Sequence, residues 1–108
     1  MIYELRIYRC MPGRLPDLNK RFETVTLKLW EKHGFRPVGF WPTMIGESNQ
    51  DLTYLLEWKD LAERERLWAG FMGDKEWLAA RADSEKNGAI VANITSSILA
   101  PTAFSPMK

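Results

Sequence analysis

Residues 2–10 read IYELRIYRC, and their alternation organises the rest of the chain. Tyr3, Leu5 and Ile7 point one way; Ile2, Glu4, Arg6 and Tyr8 point the other. Side chains alternate across a strand with period two, so the stretch is a β-strand with an apolar face and a mixed face. Pro12-Gly13 stops it. From residue 15 the period changes. Leu15, Leu18, Phe22, Val25 and Leu29 recur at steps of three and four, which predicts a helix over 15–33 packed by one side. Pro16 suits its first turn, where no N–H is needed. Gly34 suits a left-handed C-terminal cap.

Residues 36–46 form a second strand, but Pro37 and Pro42 cannot donate to a ladder, so it is an edge or bulged strand. Residues 46–51 are turn chemistry. Residues 52–58 are a third strand, with Leu52, Tyr54, Leu56 and Trp58 on one face and Thr53, Leu55 and Glu57 on the other. Both faces are largely apolar, so the pattern does not say which points inward. Asp60, with Glu63 three residues on, resembles a capping box opening a second helix. Its apolar stripe is Leu61, Trp68 and Met72, broadened by Leu67 and Phe71, while Arg64, Glu65 and Arg66 read as a solvated face. Gly73 breaks that helix, and Asp74 caps a shorter one with Trp77 and Leu78. Residues 89–99 are β-branched and alternate, a fourth strand. Residues 100–108 have no period. The reading is one domain over 1–108, a core of 1–99 and a tail.

The order β-α-β-β-α-β predicts an α+β, ferredoxin-like fold with both helices on one face of a four-stranded antiparallel sheet. The other face is then bare. Ile2, Tyr8, a residue from Phe40 and Trp41, Leu55 or Tyr54, and alternate residues of 90–99 are assigned to it. Monomers rarely expose more than a few hundred Å² of contiguous apolar surface. Two sheets pairing about a two-fold axis would cover the face, so a homodimer is expected. The alternative is a tail that folds Phe104 and Met107 across it.

Composition narrows the function. A 45% hydrophobic and 27% charged chain is an ordinary folded one rather than a disordered one. Fifteen basic residues offset fourteen acidic ones with no run of one sign, so no nucleic-acid partner is expected. Apolar runs are too short to span a membrane, and a strand beginning at Ile2 leaves no room for a signal peptide. Cys10 is the sole cysteine, which fits a reducing, cytoplasmic setting. One Cys and one His, His33, do not make a usual zinc site, and no metal or cofactor is expected. His33 is expected in the ordinary role of a cation at a helix C-terminus rather than as a general base or metal ligand. Gly34 to Gly39 has P-loop spacing but is followed by Phe40-Trp41 instead of Lys-Ser/Thr, and there is no Gly-x-Ser-x-Gly elbow.

The candidate pocket is Glu4, Arg6, Tyr8, Trp41, Tyr54 and Glu57, placed between the paired sheets. Buried charges need partners, and Glu57 on the adjacent strand is a candidate for Arg6. In the functional reading, Arg6 binds an anionic or carbonyl group, Tyr8 donates a hydrogen bond, a carboxylate of raised pKa moves a proton, and Trp41 with Phe40 lines the cavity. The plainer reading is an interface ion-pair cluster that sets dimer register. Trp68, Phe71 and Trp77 read as core.

The chain resembles the NIPSNAP family. The residues that carry the likeness are Met1-Ile-Tyr-Glu-Leu-Arg-Ile-Tyr8, Pro12-Gly13-Arg14-Leu15-Pro16, Glu31-Lys-His-Gly34 and Val38-Gly-Phe-Trp41. Gly46, Asn49-Gln50, Glu57-Trp58, Leu61-Ala-Glu-Arg64 and Pro101-Thr-Ala-Phe-Ser-Pro106 complete it. The resemblance implies a dimeric α/β barrel and no common reaction. Family members often carry His and Trp on the third strand, where this chain has Tyr54 and Leu56. Two readings stay open. One is a site for a small aromatic or carbonyl-containing molecule in the inter-sheet cavity, by fold analogy with cofactor-independent monooxygenases. Haem-processing dimers share that analogy, but no strand here carries a histidine. The other is a non-catalytic interaction module, as the family's links to vesicle traffic and mitochondria suggest.

Overall fold

The alternation of residues 2–10 becomes β1, Ile2–Cys10, one of the two central strands. The computed structural model describes all residues 1–108. The first helical segment follows as α1 (Leu15–Arg21), a π-helical turn (Phe22–Thr26) and α2 (Leu27–His33). Next come β2 (Arg36–Pro42), β3 (Asp51–Trp58), α3 (Leu61–Met72), α4 (Lys75–Ser84) and β4 (Val91–Leu99). The sheet order is β2-β3-β1-β4, every pairing antiparallel. This is the ferredoxin-like α+β arrangement expected from the element order.

Local chemistry sets the boundaries. Gly34 ends α2 at φ +85°, a conformation open to a residue without a Cβ. Asp60 caps α3 by accepting from the Glu63 N–H at 2.8 Å. Glu63 reaches back to the Lys59 N–H rather than to Asp60, so the box is closed one residue early. Asp74 caps α4 through the Glu76 and Trp77 N–H groups. The pairing of β2 shifts register between Pro37 and Gly39, a bulge where proline cannot donate.

The π turn moves the buried stripe of the first helical segment. Within it the Leu27 N–H reaches the Phe22 carbonyl, five residues back. A wider turn carries the inward face from Leu18 through Phe22 and Thr26 to Trp30, and leaves Val25 half-buried. Trp30 is thereby fully buried, with its ring 5.1 Å from Phe35, 5.4 Å from Phe22 and 5.5 Å from Tyr54. On α3 the inward residues are Arg64, Leu67, Trp68 and Phe71, while Leu61 and Met72 are exposed. The expected stripe is rotated, and Arg64 leaves the solvated face to which its charge had assigned it.

The two faces of the sheet follow from register. Glu4, Arg6 and Tyr8 stand opposite Leu56, Tyr54 and Leu52, and the core residues of β3 all pack beneath the helices. The expectation that Glu4, Arg6 and Tyr8 face a second sheet is therefore corrected: they face the helices. Ile2, Phe40 and Tyr54 go with them, since Ile2 pairs with Trp58 and Phe40 with Tyr54. The opposite face carries Tyr3, Leu5, Ile7, Trp41, Leu55 and Glu57; no helix covers it, yet Tyr3 is buried, Leu5, Ile7, Leu55 and Glu57 are half-buried, and Trp41 is exposed. Trp41 lies across Gly39, where an added Cβ would come within 2.7 Å of its ring. From Ala92 to Leu99, β4 is exposed along its whole length, including Ile94 and Ile98, which share the helix side with Tyr8 and Glu4. No helix is long and apolar enough to cross a membrane.

Candidate functional site

Glu4 is the centre of the polar cluster and is fully buried. Its Oε1 accepts from Arg64 Nε at 2.8 Å, Trp58 Nε1 at 3.0 Å and Trp68 Nε1 at 3.2 Å. Its Oε2 accepts from Ser96 Oγ at 2.7 Å and from Arg6 Nη1 and Arg64 Nη2 at 3.0 Å. Six donors saturate a carboxylate, whose lone pairs offer about four strong sites. Burial by itself would push the Glu4 pKa up. The hydrogen bonds from Arg64, Ser96, Arg6 and Trp68 outweigh it and hold the pKa at about 2. A saturated carboxylate of low pKa is no proton acceptor at neutral pH. The expected role of a carboxylate with a raised pKa is reversed for Glu4: it holds arginines in place.

Arg6 has every nitrogen engaged. Nη1 meets Glu4, Nε donates to the Tyr54 hydroxyl at 2.7 Å, and Nη2 donates to the Tyr8 hydroxyl at 3.3 Å. Its guanidinium carbon lies 4.6 Å from the Trp68 ring centre, a cation–π contact. Burial works against its charge, but the facing tyrosines and Glu4 raise the pKa above the ordinary arginine value. Glu57 is not its partner; Glu57 is on the opposite face and bonds Arg36 at 3.4 Å.

The two tyrosines form a directed relay. Their hydroxyl oxygens are 2.9 Å apart. Tyr54 is fully buried, and beyond Arg6 its only side-chain partner is Tyr8, so its O–H donates to Tyr8. Burial, with the neighbouring Tyr8, drives the Tyr54 pKa well above its usual value, keeping it protonated. The Tyr8 oxygen thus accepts twice, from Tyr54 and Arg6, and its own hydrogen has no protein acceptor.

Tyr8 and Arg6 line a cavity of about 310 Å³ between the sheet and helices α3 and α4. Its aromatic wall is Trp68, Phe71 and Trp77, and β4 closes one side from Val91 to Ile94. Arg21, Arg81 and Glu85 complete its charged lining. Arg21 reaches Ser84 Oγ and Glu85 Oε1, both at 3.2 Å, and stacks on Trp77 at 5.3 Å.

Of the six residues proposed from sequence, Glu4, Arg6, Tyr8 and Tyr54 come together, whereas Trp41 and Glu57 lie on the other side of the sheet. The sequence reading missed Arg64, Ser96 and Arg21. Arg64 had a signal: it shares spacing with Trp68 and Phe71, four and three residues apart in turn. His33 places Nε2 2.7 Å from Asp74 Oδ2, which ties the end of α2 to the cap of α4. No three His, Cys, Asp or Glu side chains converge as a metal site would require.

A family model for NIPSNAP matches residues 3–106. The chain belongs to the NIPSNAP family. Solved NIPSNAP structures share its whole architecture. An uncharacterised NIPSNAP-like domain protein from Burkholderia xenovorans is 26% identical, with a TM-score of 0.85 over 97% of this chain and 88% of its own. A NIPSNAP family protein of unknown function from Agrobacterium tumefaciens is 25% identical, with a TM-score of 0.87 over 100% of this chain and 94% of its own. A Nitrosomonas europaea protein provisionally assigned as an antibiotic biosynthesis monooxygenase shares the fold at 7% identity, with a TM-score of 0.63 over 94% of this chain and 98% of its own. No curated protein matches the sequence.

Proposed function

We propose that this NIPSNAP protein binds a small planar molecule carrying an acceptor oxygen, in the cavity between its sheet and helices α3 and α4. The site moves from the space between two sheets to the interior of one protomer, because the polar cluster faces the helices. The observation that carries the reading is the Tyr8 hydroxyl, filled as an acceptor and left with one hydrogen to donate beside an aromatic-lined cavity. A ligand carbonyl, enolate or phenolate oxygen satisfies that hydrogen. The Arg6–Tyr54–Tyr8 chain is preorganised to stabilise negative charge developing on such an oxygen, the physical basis of oxyanion stabilisation. Any conversion of the bound molecule draws on that stabilisation and not on Glu4 as a base.

The test is a thermal-shift screen with phenols, quinols and aromatic carbonyl compounds. A ligand at a hundred times its Kd stabilises by about 2.7 kcal/mol, so a binder raises Tm measurably. Tyr8→Phe should abolish the shift. A hit that Tyr8→Phe binds as well as wild type sinks the reading.

A homodimer is part of the proposal. Its support is β4, exposed on both faces and apolar at Ile94, Ile98 and Leu99, beside a sheet face carrying Leu5, Ile7, Trp41 and Leu55. Light scattering should give twice the 12.5 kDa of one chain. A single-chain mass at micromolar concentration removes it.

A further inference from the structure

The charges around the cavity do not balance. Arg6, Arg21, Arg81 and Glu85 line it. Arg6 shares Glu4 with Arg64, and Arg21 shares the single Glu85 Oε1 with Arg81, at 3.2 Å from each. Four guanidiniums against two carboxylates leave an excess of one positive charge at each carboxylate, and the one at Glu85, between Arg21 and Arg81, lies in the cavity lining. The entire chain carries a net charge of only +1, so the excess is local.

Arg21 is the more telling member. Its side chain is 7% exposed, and its Nε is buried with no hydrogen-bond partner. Beside it the Trp77 Nε1 is also buried without a partner. Removing an arginine from water is costly unless its donors are met, and half of a shared carboxylate does not meet them. Burial accordingly lowers the Arg21 pKa, more than Glu85 restores it. Arg81, half exposed, joins the same carboxylate, so the two forks stand together on one side of the cavity. A planar guanidinium matches a carboxylate with two parallel hydrogen bonds.

We infer that the ligand is an aromatic carboxylate, its ring against Trp68, Phe71 and Trp77, its carboxylate compensating Arg21 and Arg81, and a second acceptor oxygen on Tyr8. The inference rests on the cavity being the ligand site, as proposed above. The size agrees: about 310 Å³ is at the small end of ligand pockets, fit for a one-ring or two-ring molecule.

Calorimetric titration of the whole chain at fixed ionic strength and pH 7 tests it. The probes are benzoate, salicylate and 4-hydroxybenzoate, each paired with its primary amide. The amide keeps the ring and, in the two hydroxybenzoates, the hydroxyl oxygen for Tyr8, but lacks the charge that faces Arg21 and Arg81. At least one acid should bind ten times more tightly than its amide. Arg81→Gln, a change at a half-exposed side chain that spares the core, should weaken the acid about tenfold and leave the amide unchanged. Arg66→Gln removes the same charge from the exposed side of α3 and should change neither. Amides that bind as well as the acids overturn the charge inference while leaving the cavity reading standing. If no acid and no amide binds, both fall.

Discussion

Glu4→Gln keeps the volume and planarity of the side chain but removes its charge and turns one acceptor into a donor. Either orientation of the amide sets its NH₂ against three donors. One side holds Arg64 Nε, Trp58 and Trp68; the other holds Arg6, Arg64 Nη2 and Ser96. Arg64 is 31% exposed and can swing to water, but Arg6 is 13% exposed and stays buried beside a neutral group. Breaking a buried ion pair from one side costs about 3–5 kcal/mol. Against a total stability of about 5–15 kcal/mol, the variant should be folded but much weakened at pH 7. Urea unfolding should show a lower midpoint at unchanged slope.

A pH arm separates charge from packing. The Glu4 pKa is depressed from 4.5 to about 2 by folding, so its contribution is complete above about 4.5 and is lost as pH falls towards 2. At about 1.36 kcal/mol per unit the shift is worth at most about 3 kcal/mol, and solvent reaching Arg64 screens this to about 2. The stability gap between wild type and Glu4→Gln should therefore narrow by about 2 kcal/mol between pH 5 and pH 2. A gap below about 1 kcal/mol at pH 7, or one constant with pH, would refute the hub assignment.

Tyr54→Phe strands the Arg6 Nε and should cost about 1–3 kcal/mol in a urea melt, with loss of any ligand shift that depends on Tyr8. Gly34→Ala meets nothing closer than Leu67 at 3.9 Å, so its loss of about 1–2 kcal/mol should come from the positive φ alone; a neutral result would mean the cap relaxes. Trp30→Ala empties the middle of the aromatic core and should cost about 3–5 kcal/mol by the same assay. Leu55→Lys puts a charge on the bare sheet face and should yield a monomer by light scattering with a near-native melt; a retained dimer argues that the copies meet elsewhere.

Punctuation was the most legible level. Gly34 as a left-handed cap, Asp60 and Asp74 as caps and the irregular β2 each depend on a few neighbouring residues, and each is found in the structure. Of the stripe that starts at Leu15, residues Leu18, Phe22 and Leu29 are buried as read, but the π turn shifts the phase between them, leaving Val25 half-buried and bringing in Thr26 and Trp30. Arg64 was read as solvated because a charge on a helix usually is. Its inward turn depends on Glu4, sixty residues earlier.

The sequence by itself determined the order of elements, most of their ends (β2 stops at Pro42, short of the expected residue 46) and the division of β1 into two sets of side chains, because these follow from local sterics and a period of two. Which set is inside was decided only in three dimensions. Alternation is symmetric between faces, and a mixed face becomes an interior one when partners compensate its charge. For Glu4 and Arg6 those partners are Tyr54, Arg64 and Ser96, between 48 and 92 residues away along the chain. Their arrival over one side of the sheet turns a strand that reads as half polar into the floor of a cavity.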